Sequence, residues 1–108
     1  MAGTQDEQHL IAAIKEGDLE AFETLFTRYQ PALLRSITFQ TRDVEAAHDI
    51  VQETFLRIWQ HRGTLKPGLS FQALVYRIGL NLVRDMYRHA DTRQRTAADV
   101  PPPLPPEG

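Results

Sequence analysis

Six residues, Phe22, Leu25, Phe26, Tyr29, Leu33 and Ile37, recur at the 3.6-residue period of an α-helix through AFETLFTRYQPALLRSI. A stripe of this length must be covered by other elements on one side and wetted on the other, so the chain has to bring further amphipathic segments against it. Three more can be read, and no segment shows the two-residue alternation of a convincing strand. The first spans residues 6–16, with Leu10, Ile11 and Ile14 on one side and Gly17 as its stop. Asp18 then offers its carboxylate as the N-cap of the long helix. Pro31 removes one backbone hydrogen bond there and is expected to bend that helix or split it near Tyr29.

A polar break, TRD, places Asp43 as the cap of a third helix reaching to about His61, with Val44, Ala47, Val51, Phe55 and Ile58 inward. HRGTLKPGLS, with two glycines and a proline, is a loop. Ser70 caps a fourth helix from Phe71, with Leu74, Val75, Ile78, Leu82 and Met86 inward. The expected architecture is all-α, a compact three- to four-helix bundle over residues 1–95. Five of the last eight residues are proline, so residues 96–108 are expected to be an extended, disordered linker or chain end.

Two of these helices carry a second pattern. In DIVQETFLRIWQH, Asp49, Gln52, Glu53 and Leu56 fall at i, i+3, i+4 and i+7, a polar stripe in register with a leucine. In the fourth helix Arg77, Asn81, Arg84 and Arg88 fall at i, i+4, i+7 and i+11, alongside Tyr76, Leu80, Val83 and Tyr87 at the same spacing. Both stripes lie off the Leu74–Ile78–Leu82 seam, so at least one should be exposed. Arginines bind phosphates and tyrosines offer faces for unpaired bases, a pairing suited to single-stranded or partly melted nucleic acid. Gly79 costs helix stability, about 1 kcal/mol relative to alanine, and its missing side chain permits close approach of another helix.

The net charge of −2 conceals an asymmetry: residues 1–56 hold ten acids against four bases, and residues 57–95 hold eight bases against two acids. Such polarity fits two different partners, one met by each half, or a simple scatter of surface charge. The chain has no cysteine, which excludes disulfides, thiolate zinc sites and cysteine nucleophiles and fits a cytoplasmic protein. No apolar run approaches the roughly 20 residues a membrane span needs, and no secretory signal is visible. His48 and Gln52 stand at i, i+4 beside Asp49 and Glu53, but the second position of a zincin pair is missing. With neither a phosphate loop nor a nucleophile beside a base, an enzyme is not expected, and neither is a metal or other cofactor.

The order EAAHDIVQETFLRIW, then a Gly/Pro loop, then FQALVYRIGLNLVRDMYR resembles region 2 of bacterial sigma factors, most closely the extracytoplasmic-function (ECF) group. AFETLFTRYQPALLR resembles an adjoining part of the same region, and the resemblance spans roughly residues 10–95. The resemblance implies that Asp49, Gln52, Glu53 and Leu56, with Arg57 at the edge, dock on a coiled coil in the largest catalytic subunit of core RNA polymerase. It implies that Tyr76, Arg77, Asn81, Arg84 and Arg88 contact the non-template strand of the promoter −10 element and help to melt it. The loop before that helix would wall a pocket for a flipped base through Leu65, Lys66 and Leu69. An anti-sigma factor is a further implied partner, and the proline-rich end is expected to begin the linker to a second, −35-reading domain absent from this chain. Two residues depart from the family's pattern. Leu74 replaces a frequent aromatic, and His48 stands where an acid is common, leaving the acidic face less negative. The rival expectation is a helical interaction module, an adaptor or sequestering regulator, with the same acidic face and no role on DNA.

Overall fold

The structure, a computed structural model, describes residues 3–98, with side chains described for residues 6–89. The helices are α1 (Gly3–Lys15), α2 (Leu19–Thr41), α3 (Val44–Gln60) and α4 (Phe71–Ala98), with one 3-10 turn at Arg62–Thr64. The described residues thus form the expected all-α bundle. Residues 96–98 continue α4, and the remainder of the proline-rich segment lies outside the described residues.

Local chemistry sets each boundary. α1 ends in a Schellman arrangement: the Asp18 N–H donates to Ala13 O and the Gly17 N–H to Ile14 O, with Gly17 at φ +97°. Asp18 then caps α2, its Oδ1 accepting from the Glu20 and Ala21 amides. Asp43 caps α3 through the Ala46 amide and Ser70 caps α4 through the Ala73 amide. Pro31 does not split α2, which runs as a single helix through it. The proline is exposed, while Leu33 and Ile37 just beyond it are fully buried and hold the C-terminal half in line.

α2 is the central element, packing on the other three helices, and α3 also packs on α4. Its stripe behaves as the periodicity predicts: Leu25, Leu33 and Ile37 are fully buried and Phe22, Phe26 and Tyr29 are packed against the core. Phe55 of α3 joins three helices through its ring, edge-on to Phe26 at 4.8 Å and to Phe22 at 6.2 Å, and tilted to Phe71 at 6.5 Å. Val44, expected inward, is exposed at the first position of α3.

The seam of α4 also differs from expectation. Phe71, Val75, Gly79 and Val83 are its buried residues, and Leu74, Ile78, Leu82 and Met86 only flank them. Gly79 is the reason. A Cβ there would stand 3.2 Å from Leu33 Cδ1 and 3.5 Å from both Ile37 Cδ1 and Thr54 Oγ1, so the bare backbone of α4 is packed closely against both α2 and α3. Thr54 is buried at that contact, its hydroxyl satisfied by donating to Ile50 O at 2.8 Å.

α1 is tied on by polar contacts at its N-terminal half. Tyr29 donates its hydroxyl to Glu7 Oε1 at 2.6 Å, and Arg28 reaches Asp6 at 3.1 Å. Burial, then the hydrogen bond and negative charge of Glu7, push the Tyr29 phenol from 10.0 up to about 12, with Arg28 opposing them.

Two outcomes follow for stability. Gly79→Val forces branched carbons into the Leu33–Ile37–Thr54 contact and should cost ~1–3 kcal/mol in denaturant unfolding, as overpacking does; an unchanged midpoint would show that the contact is loose. Because the folded-state pKa of Tyr29 is raised, the stability linked to its neutral form is complete below pH 10 and drains away as pH climbs towards about 12. Phenolate absorbance should show a component near pH 12 that Tyr29→Phe removes, whereas a titration indifferent to that substitution contradicts the burial of the phenol.

Candidate functional site

The outer face of α3 is laid out as its spacing predicts. Ala47, Ile50, Val51, Thr54, Phe55 and Ile58 are buried, and the Asp49–Gln52–Glu53–Leu56 stripe is centred about 180° round the helix from them. Asp49, Gln52 and Leu56 are exposed, Leu56 by 47 %, which makes it an apolar centre within a polar surround. Glu53 is half-exposed and accepts from Arg57 Nε at 2.8 Å, an i, i+4 pair that holds both side chains along the helix surface. Such surface pairs contribute little to stability, so either partner is free to exchange for another charge. His48 is also exposed, and among the described residues no group of three His, Cys, Asp or Glu is placed to hold a metal ion.

On α4 the two stripes separate cleanly. Arg77, Asn81 and Arg88 are exposed and Arg84 is half-buried, so this line faces out. The tyrosine line turns inward: Val83 is buried, Tyr76 and Leu80 are packed against the core, and Tyr87 donates its hydroxyl to Gln40 O at the end of α2. Tyr87 therefore has a structural bond of its own, while the residue stays 44 % exposed. Arg88 lies 3.7 Å from Asp85.

Where the C-terminal end of α3, the loop and α4 meet there is a cavity of about 280 Å³, lined by Arg57, Ile58, His61, Thr64, Leu65, Leu74, Ile78 and Asn81. It brings together three residues that the sequence places separately: Arg57 from the α3 stripe, Leu65 from the loop and Asn81 from the α4 stripe. Lys66 is exposed and Leu69 half-buried, and neither lines it. His61, Thr64, Leu74 and Ile78 are lining residues that the sequence reading passes over. Leu74 and Ile78 fit its inward stripe, and only the inward turn of Gly79 reveals that they flank the seam and face the loop. His61 and Thr64 carry no periodic signal. The lining thus combines four aliphatic side chains with a guanidinium, an imidazole, a hydroxyl and an amide.

Comparison with known proteins places the sequence in one family. Residues 25–93 match the Sigma-70 region 2 family. RNA polymerase sigma factor CnrH of Cupriavidus metallidurans is 36% identical over 94 residues, covering 83% of this chain and 48% of the relative. The ECF RNA polymerase sigma-E factor of Salmonella typhimurium is 31% identical over 96 residues, covering 87% and 48%. RNA polymerase sigma-H factor of Pseudomonas aeruginosa is 28% identical over 99 residues, covering 92% and 50%. The chain therefore spans about half the length of the curated relatives it matches. No solved structure matches it significantly. With a family match across most of the described bundle and similarity to several ECF sigma factors, the chain belongs to the Sigma-70 region 2 family, in its extracytoplasmic-function group.

Proposed function

We propose that this chain is the part of a sigma factor that docks on core RNA polymerase through α3 and engages the −10 promoter element through α4 and the adjoining cavity. The observation that carries the reading is the juxtaposition of two exposed faces of opposite chemistry on one bundle. Asp49, Gln52, Glu53 and Leu56 offer carboxylates, an amide and an apolar centre to a partner helix bearing arginines. Arg77, Arg84 and Arg88 offer cations to phosphates, and Asn81 offers a donor and an acceptor to a base edge.

The cavity between the two faces gives DNA opening a place to go. A base drawn from the stack loses stacking and pairing worth a few kcal/mol, which a fitted pocket has to offset. At about 280 Å³ the cavity lies just below the ~300–1,000 Å³ of pockets for larger ligands, a size suited to one planar ring system. Leu65, Leu74 and Ile78 supply faces for the ring, and Asn81 and His61 supply polar atoms at the rim. Of the loop residues implied by the family resemblance, Leu65 takes the walling role, and Lys66 is left for the backbone outside. No bond is made or broken in this scheme. The protein's work is binding energy directed to a melted strand, and the chemistry of RNA synthesis belongs to the polymerase. Phosphate contacts release counterions, so DNA binding weakens steeply as salt rises.

One paired experiment tests the assignment. Glu53→Arg places two arginines at i, i+4 on α3, a cost of only ~0.2–0.5 kcal/mol, so the domain stays folded. It should lower affinity for core polymerase on the order of tenfold or more, about 1.4 kcal/mol, and leave binding to a single-stranded −10 oligonucleotide unharmed. Asn81→Ala should do the reverse. Equal effects of each variant on both partners would remove the division of labour, and a chain that binds polymerase but no −10 strand in low salt would favour a protein-interaction module.

A further inference from the structure

Resting on the reading of the cavity as a base pocket, we propose that Gln8 and Glu7 of α1 are positioning residues for the loop that walls it, and so set how strictly it selects a base. Gln8 grips the loop backbone with both ends of its amide: Oε1 accepts from the Gly68 N–H at 2.8 Å and Nε2 donates to Leu69 O at 3.0 Å. Glu7 reaches the next turn, where its Oε2 accepts from the Phe71 N–H, the first amide of α4, at 3.2 Å. A carboxylate there satisfies a donor that the helix cannot, and it complements the positive end of the helix dipole. Glu7 is itself held from behind by the Tyr29 hydroxyl at 2.6 Å and by Arg28 at 3.7 Å, and its side chain is only 15 % exposed.

These bonds add to the local anchors of the loop, where Leu65 is buried in the core and Arg62 lies over the Trp59 ring and donates to Trp59 O. The backbone hydrogen bonds within the loop are short-range, from Thr64 to His61 O, Leu65 to Arg62 O and Leu69 to Lys66 O. α1 also packs on the 3-10 turn at Arg62–Thr64. One helix therefore braces the loop at both ends, and the lining residues Thr64 and Leu65 lie at and just after the first of these supports. Gly68, at φ +80°, takes the left-handed turn that delivers its amide to Gln8. A glutamine is needed because it both donates and accepts; glutamate at position 8 would keep the Gly68 bond, lose the Leu69 bond and add a charge beside Glu7.

The test compares the wild-type chain with Gln8→Met, similar in length but without either bond, and with Gln8→Glu. Amide hydrogen exchange in the free chain should accelerate at Gly68 by at least about fivefold in Gln8→Met and less in Gln8→Glu, with the Leu33 and Val51 amides unchanged. Bound to core polymerase, Gln8→Met should discriminate at least about threefold less between −10 oligonucleotides differing at the captured base, a loss near 0.6 kcal/mol, and polymerase affinity should stay as it was. Unchanged Gly68 exchange overturns the brace, and faster exchange throughout the core reduces Gln8 to a general stabiliser. Faster loop exchange with discrimination intact overturns the link to base choice alone. A wild-type complex that discriminates no base defeats the pocket reading and this inference together.

Discussion

Gly79 is the point at which α4 packs against α2 and α3 without a side chain of its own, and the outward stripe of α4 follows from that contact. Leu33, Ile37 and Thr54 close over the bare backbone, which fixes the rotation of the helix about its axis. At about 100° per residue, Arg77, Asn81, Arg84 and Arg88 all fall within roughly 40° of the direction opposite Gly79. Tyr76, Leu80, Val83 and Tyr87 fall within about 100° of it and are drawn towards the bundle. A residue that costs helix stability thereby decides which stripe meets solvent. Leu74 and Ile78, on the other flank of α4, line the cavity together with Leu65 of the loop.

The same logic organises α3. Phe55 is held among Phe22, Phe26 and Phe71, and the polar stripe is carried on the far side of the helix from the buried set. Arg57 stands at the junction of the two surfaces, bonded to Glu53 on one side and lining the cavity on the other. Of the acidic half, Asp49 and Glu53 stand on the outer face of α3, and of the basic half, Arg77, Arg84 and Arg88 stand on the outer stripe of α4, with Arg57 and Asn81 meeting at the cavity. Under the proposed function, this one bundle would link the attachment point on the polymerase to the strand that is opened.

Much of this was legible in the sequence because the relevant signals are local. Asp18, Asp43 and Ser70 mark helix starts through bonds spanning two or three residues, and the α3 stripe needs only its 3.6-residue period. What escaped depends on contacts between distant segments. Hydrophobic pattern ranks Leu74 and Ile78 above Gly79, although packing reverses that order. Val44 matches the inward period but stands exposed at the first position of its helix. Pro31 breaks a local rule, and distant burial of Leu33 and Ile37 keeps the helix whole. The bonds from Gln8 and Glu7 cross 60 or more residues of chain to reach the loop, and no periodicity announces them.

The central claim is that two faces of one bundle meet two different molecules at the same time. Site-specific photo-crosslinking in a complex with core polymerase and promoter DNA tests it most directly, with the reactive side chain placed at position 56 in one protein and at position 81 in another. The account predicts that the probe at Leu56 labels polymerase protein and no DNA, and that the probe at Asn81 labels the non-template strand. Labelling of one and the same partner from both positions would contradict it.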